Sequence, residues 1–244
     1  MRRRNVVIIV EGSTEQAALK GLLGAHLWDC NLYPRFSVVG DERGKGGYKT
    51  FDVFVSQIRK FALTFPDAYI STCFDYYGLD RGWRWPHVHE IKHGENSNAV
   101  NAVTKAGKIE KALTDEVYKE IHSGIVRPEC FYFYVQLHEF EALLFSDTDI
   151  LGNMLKPRVA GNDLQKTFRE IKEEAEGDCE RINDSLETAP SKRIENLARY
   201  KKGKSDQSHA PRILPAIGLP AVRRACRRFN GWVTQLEKLG VPMS

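Results

Sequence analysis

Five consecutive β-branched residues, Val6-Val7-Ile8-Ile9-Val10, run straight into Glu11-Gly12-Ser13. β-branched side chains are stiff at χ1 and favour the extended chain over the helix. A run without polar alternation reads as a strand buried on both faces. Such a strand needs a layer above and a layer below, which points to helices packed on both sides of a sheet. A helix signal follows at once. Ser13 and Gln16 form a capping-box pair, and Ala18, Leu19, Leu22, Leu23 and Leu27 recur at helical spacing.

The same alternation continues. Phe36–Val39, Ala68–Phe74 and Cys130–Leu137 are further apolar strand candidates, and the spacing predicts helices over about 48–65 and from Val103 to Ile121. From about Asp147 onward only helices are predicted: about 163–177, 191–200, 219–227 and 228–239. The fold class expected is α/β, a mostly parallel four-stranded sheet flanked by helices. Residues 1–150 form the core and 151–244 a helical, basic C-terminal subdomain.

No apolar run approaches the ~18 residues of a membrane span, and the apolar stretch after Arg2-Arg3-Arg4 is too short for a signal peptide. Five scattered cysteines without a CxxC pair argue against a disulfide framework or a zinc ribbon. Cys73 and Cys130, inside strand candidates, read as small core residues. A cytoplasmic location with no membrane partner is the expectation.

Charge is unevenly spread. Residues 191–244 hold twelve Lys/Arg against three Asp/Glu, a net +9, which leaves −5 on the rest of a chain whose total is +4. A basic end on an acidic core fits contact with a polyanion, or a solvated helical surface.

Acids fall at strand ends. Glu11 ends the first strand, Asp75 the third, and Glu139 and Glu141 follow the fourth. Glu15 lies in the first turn of the helix after Glu11. Ligands of a parallel sheet bind at the carboxyl ends of its strands. Gathered carboxylates repel unless a cation intervenes, and a hard divalent ion needs only one or two of them plus water. The other reading is ordinary: Glu15 favours a helix N-terminus, and Asp75 sits in a turn.

Lesser motifs carry less. Trp83-Arg84-Trp85 alternates aromatic and basic side chains, as nucleic-acid grooves do, or as core anchors do. His87, His89 and His93 lack a further nearby ligand, and no zinc site is assigned. Arg43 to Gly47 does not match the P-loop pattern, so nucleotide hydrolysis is rejected.

The strings themselves resemble a known family. Val6–Glu15, VVIIVEGSTE, resembles the first motif of Toprim domains, and Ile70–Gly78, ISTCFDYYG, resembles the second. Gln136–Phe145, QLHEFEALLF, and Pro190–Arg193, PSKR, resemble the bacterial family labelled domain of unknown function 4276, which is Toprim-like. So do Ile217-Gly218-Leu219, Arg223, Cys226, Phe229 and Trp232. The resemblance implies a Toprim fold and a magnesium (or manganese) site acting on nucleic-acid phosphodiesters, DNA first. The overcoming-lysogenisation-defect nucleases are the relevant kin.

It further implies that Glu11 is the acid/base or metal-linked glutamate and that Glu15 and Asp75 are metal ligands, with Glu139 and Glu141 completing the site. Lys192, in Ser191-Lys192, assists at the scissile phosphate. Lys192, Arg193, Arg223, Arg224, Arg227 and Arg228 would hold the nucleic-acid backbone. An ABC- or SMC-type ATPase partner and a role in phage defence are implied, and an oligomer is compatible.

One position departs. The second motif is DxD in the family pattern, whereas Tyr77 stands where its second Asp would be. A nuclease and a non-catalytic subunit with a degenerate site therefore both remain open.

Overall fold

The computed structural model describes residues 3–40, 50–80, 85–94, 100–121, 128–182, 188–202 and 208–240. The glycine-rich stretch with Arg43 to Gly47, the pair Trp83 and Arg84, and Gly203 and Lys204 lie outside them. Contacts divide the chain into two compact units. The first is Met1–Gly12, Leu27–Val135 and Leu236–Ser244; the second is Ser13–His26 and Gln136–Gln235.

The first unit carries the sheet. Strand β1 (Arg4–Val10) pairs in parallel with β2 (Leu32–Val38) on one side and with β3 (Tyr69–Asp75) on the other. The order is β2-β1-β3-β4, where β4 is Phe131–Tyr132, and β5 (Val135–Gln136) also pairs with β3. The expected mostly parallel α/β sheet is present, with five strands instead of four. Val6 to Val10 are all 0% exposed, as the unbroken β-branched run requires. Burying each such side chain contributes about 1.5–3 kcal/mol.

The fifth strand arises because the expected strand Cys130–Leu137 is broken in the middle. Phe133 donates its N–H to Thr114 Oγ1 at 3.3 Å, Tyr134 to Thr72 Oγ1 at 2.8 Å, and Val135 to the Glu110 carboxylate at 2.9 Å. Three successive amides are taken by side chains, so the ladder between Tyr132 and Val135 lapses.

Helix α1 spans Ser13–Asp29, α2 Phe51–Thr64, α3 Val88–His93 and α4 Ala102–Glu120. Thr50 and Asn101 cap α2 and α4 through their side chains. Helix α3 lies in a stretch that reads as a loop. Beside it, Trp85 is 5% exposed and packs 4.9 Å from Phe54 and 5.6 Å from Phe74, ring to ring. It therefore anchors the core. Cys73 and Cys130 are buried core residues as expected.

The second unit combines Ser13–His26 of α1 with a buried 3₁₀ run, Phe140–Ser146, and six helices: α5 (Thr148–Asn153), α6 (Leu164–Glu174), α7 (Pro190–Leu197), α8 (Ala210–Ile217), α9 (Leu219–Ala225) and α10 (Arg227–Lys238). The isolated bridge Pro157–Ala198 is its only extended pairing among the described residues. Helices α5 and α8 were not expected. In α8, Pro211 and Pro215 read as breakers, yet Pro211 takes the first turn, where a proline costs nothing. Gly21 of α1 faces Pro215, and a Cβ there would lie 2.6 Å from the ring.

Cys226 separates α9 from α10, so the two arginine pairs occupy successive helices, not one face of a single helix. The break is held by Glu180, whose buried carboxylate accepts the N–H groups of Arg228 at 2.7 Å and Phe229 at 3.1 Å. It caps α10 from a distance.

A close approach in the first unit yields a stability prediction. A Cβ on Gly240 would stand 1.7 Å from the Cys30 carbonyl oxygen. Backbone cannot yield as a side-chain tip can. Gly240→Ala is expected to lose about 1–3 kcal/mol, seen as a lower melting temperature. An unchanged melt means that the close packing is absent in solution.

Among the described residues, no helix is long and apolar enough to cross a membrane.

Candidate functional site

In the first unit the parallel register sets Val10 beside Cys73. Glu11 follows Val10 directly and Asp75 comes two residues after Cys73, so both emerge at the carboxyl edge of the sheet. Glu11 and Asp75 stand there, both half-buried. Asp75 donates its backbone N–H to Glu11 Oε1 at 2.8 Å. The Glu11 carboxylate also lies against Gly78, where a Cβ would sit 2.4 Å from each of its oxygens. Only the missing side chain of Gly78 leaves the carboxylate room.

The two acids offer hard oxygen donors from adjacent strands. That set, completed by water, fits magnesium or manganese. Past Asp75 the chain holds Tyr76 and Tyr77, ring centroids 5.9 Å apart. Lys92 of α3 is 6% exposed. Its ammonium donates to the Tyr76 carbonyl at 2.9 Å and lies 4.4 Å above the Tyr76 ring. A buried cation thus stands next to the segment in which the second motif carboxylate is missing. Lys92 gives no signal in the sequence, because its segment reads as a polar loop.

In the second unit Glu15, in the first turn of α1, belongs with Glu139 and Glu141. The latter two are 4% and 3% exposed. Glu139 accepts the Ser191 backbone N–H at 3.0 Å, and Glu141 accepts the Tyr200 hydroxyl at 3.2 Å. Lys202 bridges them, 3.7 Å from Glu139 and 3.2 Å from Glu141. Burial pushes the Glu141 carboxyl up to about 7; Lys202 opposes the shift, and Glu139 and Glu15 add to it. Burial also pushes the Tyr200 hydroxyl well up, with Glu141 adding to the rise.

A carboxyl whose folded value exceeds its unfolded one binds its proton more tightly in the native state. Stability then falls as pH rises from 4.5, its ordinary value, to about 7. The full difference is about 3 kcal/mol. Glu141→Gln, which stays neutral, is expected to melt above the wild type at pH 8 in chelator, with the gap closing toward pH 4.5. A gap that does not vary with pH means that Glu141 titrates normally.

The remaining expected residues are placed as follows. Lys192 is half-exposed and pairs with Glu195 at 2.7 Å, while its neighbour Ser191 faces Glu139. Arg193 is tied to Glu174 and to the Thr188 carbonyl. Arg223 is committed inward, to Asn230 at 2.6 Å and Thr234 at 3.0 Å. Arg224 and Arg227 are exposed, and Arg228 is half-buried. Lys202 was missed because Lys201 to Lys204 reads as a basic loop. Its partners lie some sixty positions upstream, beyond the reach of a local pattern.

No curated protein and no solved structure matches the chain. A family model, described as domain of unknown function (DUF4276), matches residues 10–237. That span contains both acidic groups, the tyrosine pair and the basic helices, so the chain belongs to the DUF4276 family.

Proposed function

We propose that the protein is a divalent-metal-dependent nuclease of Toprim type that hydrolyses nucleic-acid phosphodiesters, DNA in the first place. The observation that carries this reading is the Glu11–Asp75 pair at the ends of adjacent parallel strands, where the Glu11 carboxylate accepts the Asp75 backbone N–H at 2.8 Å and lies against Gly78. Magnesium or manganese held there would polarise the scissile phosphate and lower the pKa of a water. Glu11, held by the Asp75 amide, would orient that water or take its proton. Asp75 supplies the second carboxylate. Arg224 and Arg227 offer exposed guanidinium groups for backbone phosphates.

The role of Lys192 in stabilising charge on the phosphate is proposed from the family resemblance alone. The ATPase partner and the phage-defence setting are proposed from the family resemblance alone.

Tyr77, in place of the second motif Asp, favours another reading: a non-catalytic subunit that binds nucleic acid or an ATPase. Plasmid cleavage by the purified chain in magnesium and in manganese separates the two. Cleavage abolished by chelator and by Glu11→Ala supports the nuclease. Cleavage that survives Glu11→Ala moves the site elsewhere. A wild type that cuts nothing, co-purifies with an ATPase and restricts phage equally well as Glu11→Ala is the subunit.

A further inference from the structure

The first unit also carries a row of cations and aromatic rings along its outermost strand, in the order Arg3, Trp28, Tyr33, Arg35 and Phe65. Arg3 lies 3.9 Å over the Trp28 ring and donates to the Trp28 carbonyl. Trp28 stands 5.5 Å from Tyr33, centroid to centroid. The Arg35 guanidinium lies 4.6 Å over Tyr33 and 4.3 Å over Phe65. The five residues come from the residue before β1, the end of α1, β2 and the residue after α2.

Strand β2 closes the sheet on this side and pairs only with β1 among the described residues. Tyr33, Arg35 and Ser37 share one of its faces by the two-residue period. The row therefore runs along the strand toward Ser37, and there a groove of about 680 Å³ begins. Phe65 belongs to both. Val53, Phe61 and Phe65 give the groove apolar walls, and Gln57, Lys60 and Asp52 add polar groups. Gln57 fixes α2 to the strand through Ser37 Oγ and the Val38 carbonyl, each at 3.0 Å.

An Arg over a ring is commonplace as an isolated surface contact, worth about 0.5–1 kcal/mol. This row differs in what it leaves uncovered. Trp28 is 43% exposed and Tyr33 40%, although both rings sit in a cluster that already holds them in place. Partly exposed rings flanked by guanidinium groups suit a polymer that is both anionic and π-faced. Bases stack on the rings, and phosphates meet the cations. A duplex hides its base faces, so the chemistry selects unpaired nucleotides. The groove volume suits a small organic ligand such as one nucleotide unit.

We propose that Arg3, Trp28, Tyr33, Arg35 and Phe65 form a stacking platform for single-stranded nucleic acid, with the Ser37–Phe65 groove receiving a base at its end. The proposal rests on the nucleic-acid reading above but not on its metal chemistry. It names the form of the substrate: a strand with unpaired bases.

The test is fluorescence anisotropy of the full chain with fluorescein-labelled oligothymidine and oligouridine, in chelator and low salt. A duplex of equal length and polyglutamate serve as competitors. Wild type is expected to bind the single strands and to prefer them to the duplex. Trp28→Ala/Tyr33→Ala is expected to weaken binding at least about tenfold while still melting cooperatively, and Trp28→Phe/Tyr33→Phe, which keeps both rings, is expected to bind as the wild type does.

Three results overturn the proposal: no single-strand binding by the wild type, a folded double alanine variant that binds as the wild type does, or a duplex bound as tightly as the single strand. Displacement by polyglutamate at equal charge also overturns it and assigns the face to an acidic protein. The nuclease reading fails differently, through absent cleavage in magnesium and manganese while this binding persists.

Discussion

Glu11→Gln is expected to lower metal-dependent cleavage by about 10²–10⁴-fold, the range for removing a positioned acid or base, while the protein melts near the wild-type temperature. The substitution keeps the size of the side chain. The amide oxygen can still accept the Asp75 N–H, now 2.8 Å from Glu11 Oε1, so the edge of the sheet keeps its hydrogen bond. What disappears is the negative charge that a cation would meet and the group that would take a proton from water. Cleavage kinetics in magnesium, alongside a thermal melt and a manganese titration, check all three. Intact cleavage by Glu11→Gln would remove this carboxylate from the chemistry.

Gly78→Ala is expected to cost about 10²-fold in cleavage, the scale for misplacing a catalytic group by about 1 Å, without deleting any functional atom. A Cβ at this position would lie 2.4 Å from both Glu11 oxygens and 2.7 Å from Cδ. Those atoms form the far end of a flexible side chain, so the carboxylate swings away before the backbone shifts. Stability should drop by no more than about 1.5–3 kcal/mol, the worth of a hydrogen bond to a charged group such as the Glu11 carboxylate. The pair of variants separates two ideas. If Glu11→Gln is inactive and Gly78→Ala fully active, the charge matters but its present placement does not.

The parts of the molecule that could be read from the sequence are those whose physics is local. Val6 to Val10 had to be a doubly covered strand because nothing polar interrupts them, and all five are fully buried. Glu11 and Asp75 were found because they follow such strands directly, and strand ends of a parallel sheet share an edge. The break after Tyr132 was not legible. It depends on Thr72, Thr114 and Glu110 taking amides from residues far along the chain. Helix α8 was hidden by its two prolines: Pro211 fits the first turn, whereas Pro215 lies inside the helix.

Lys202 and Lys92 each look like one basic residue among many until the fold sets them against Glu141 and Tyr76. The stacking row is illegible for the same reason, since its five members come from four separate segments.

The interleaved division of the chain also constrains synthesis on the ribosome. The strands β1 to β4 and their helices are all made by residue 135, yet the first unit also includes Leu236–Ser244. Gly240 reaches the Cys30 carbonyl only after the entire second unit has been translated. The second unit likewise waits for its own later helices before residues 13–26 of α1 are covered. During elongation residues 13–26 of α1, with the buried Leu19, Leu22 and Leu23, therefore wait for later helices such as α8, whose Pro215 meets Gly21. Until those helices emerge, this apolar segment is open to aggregation and chaperone capture on the nascent chain.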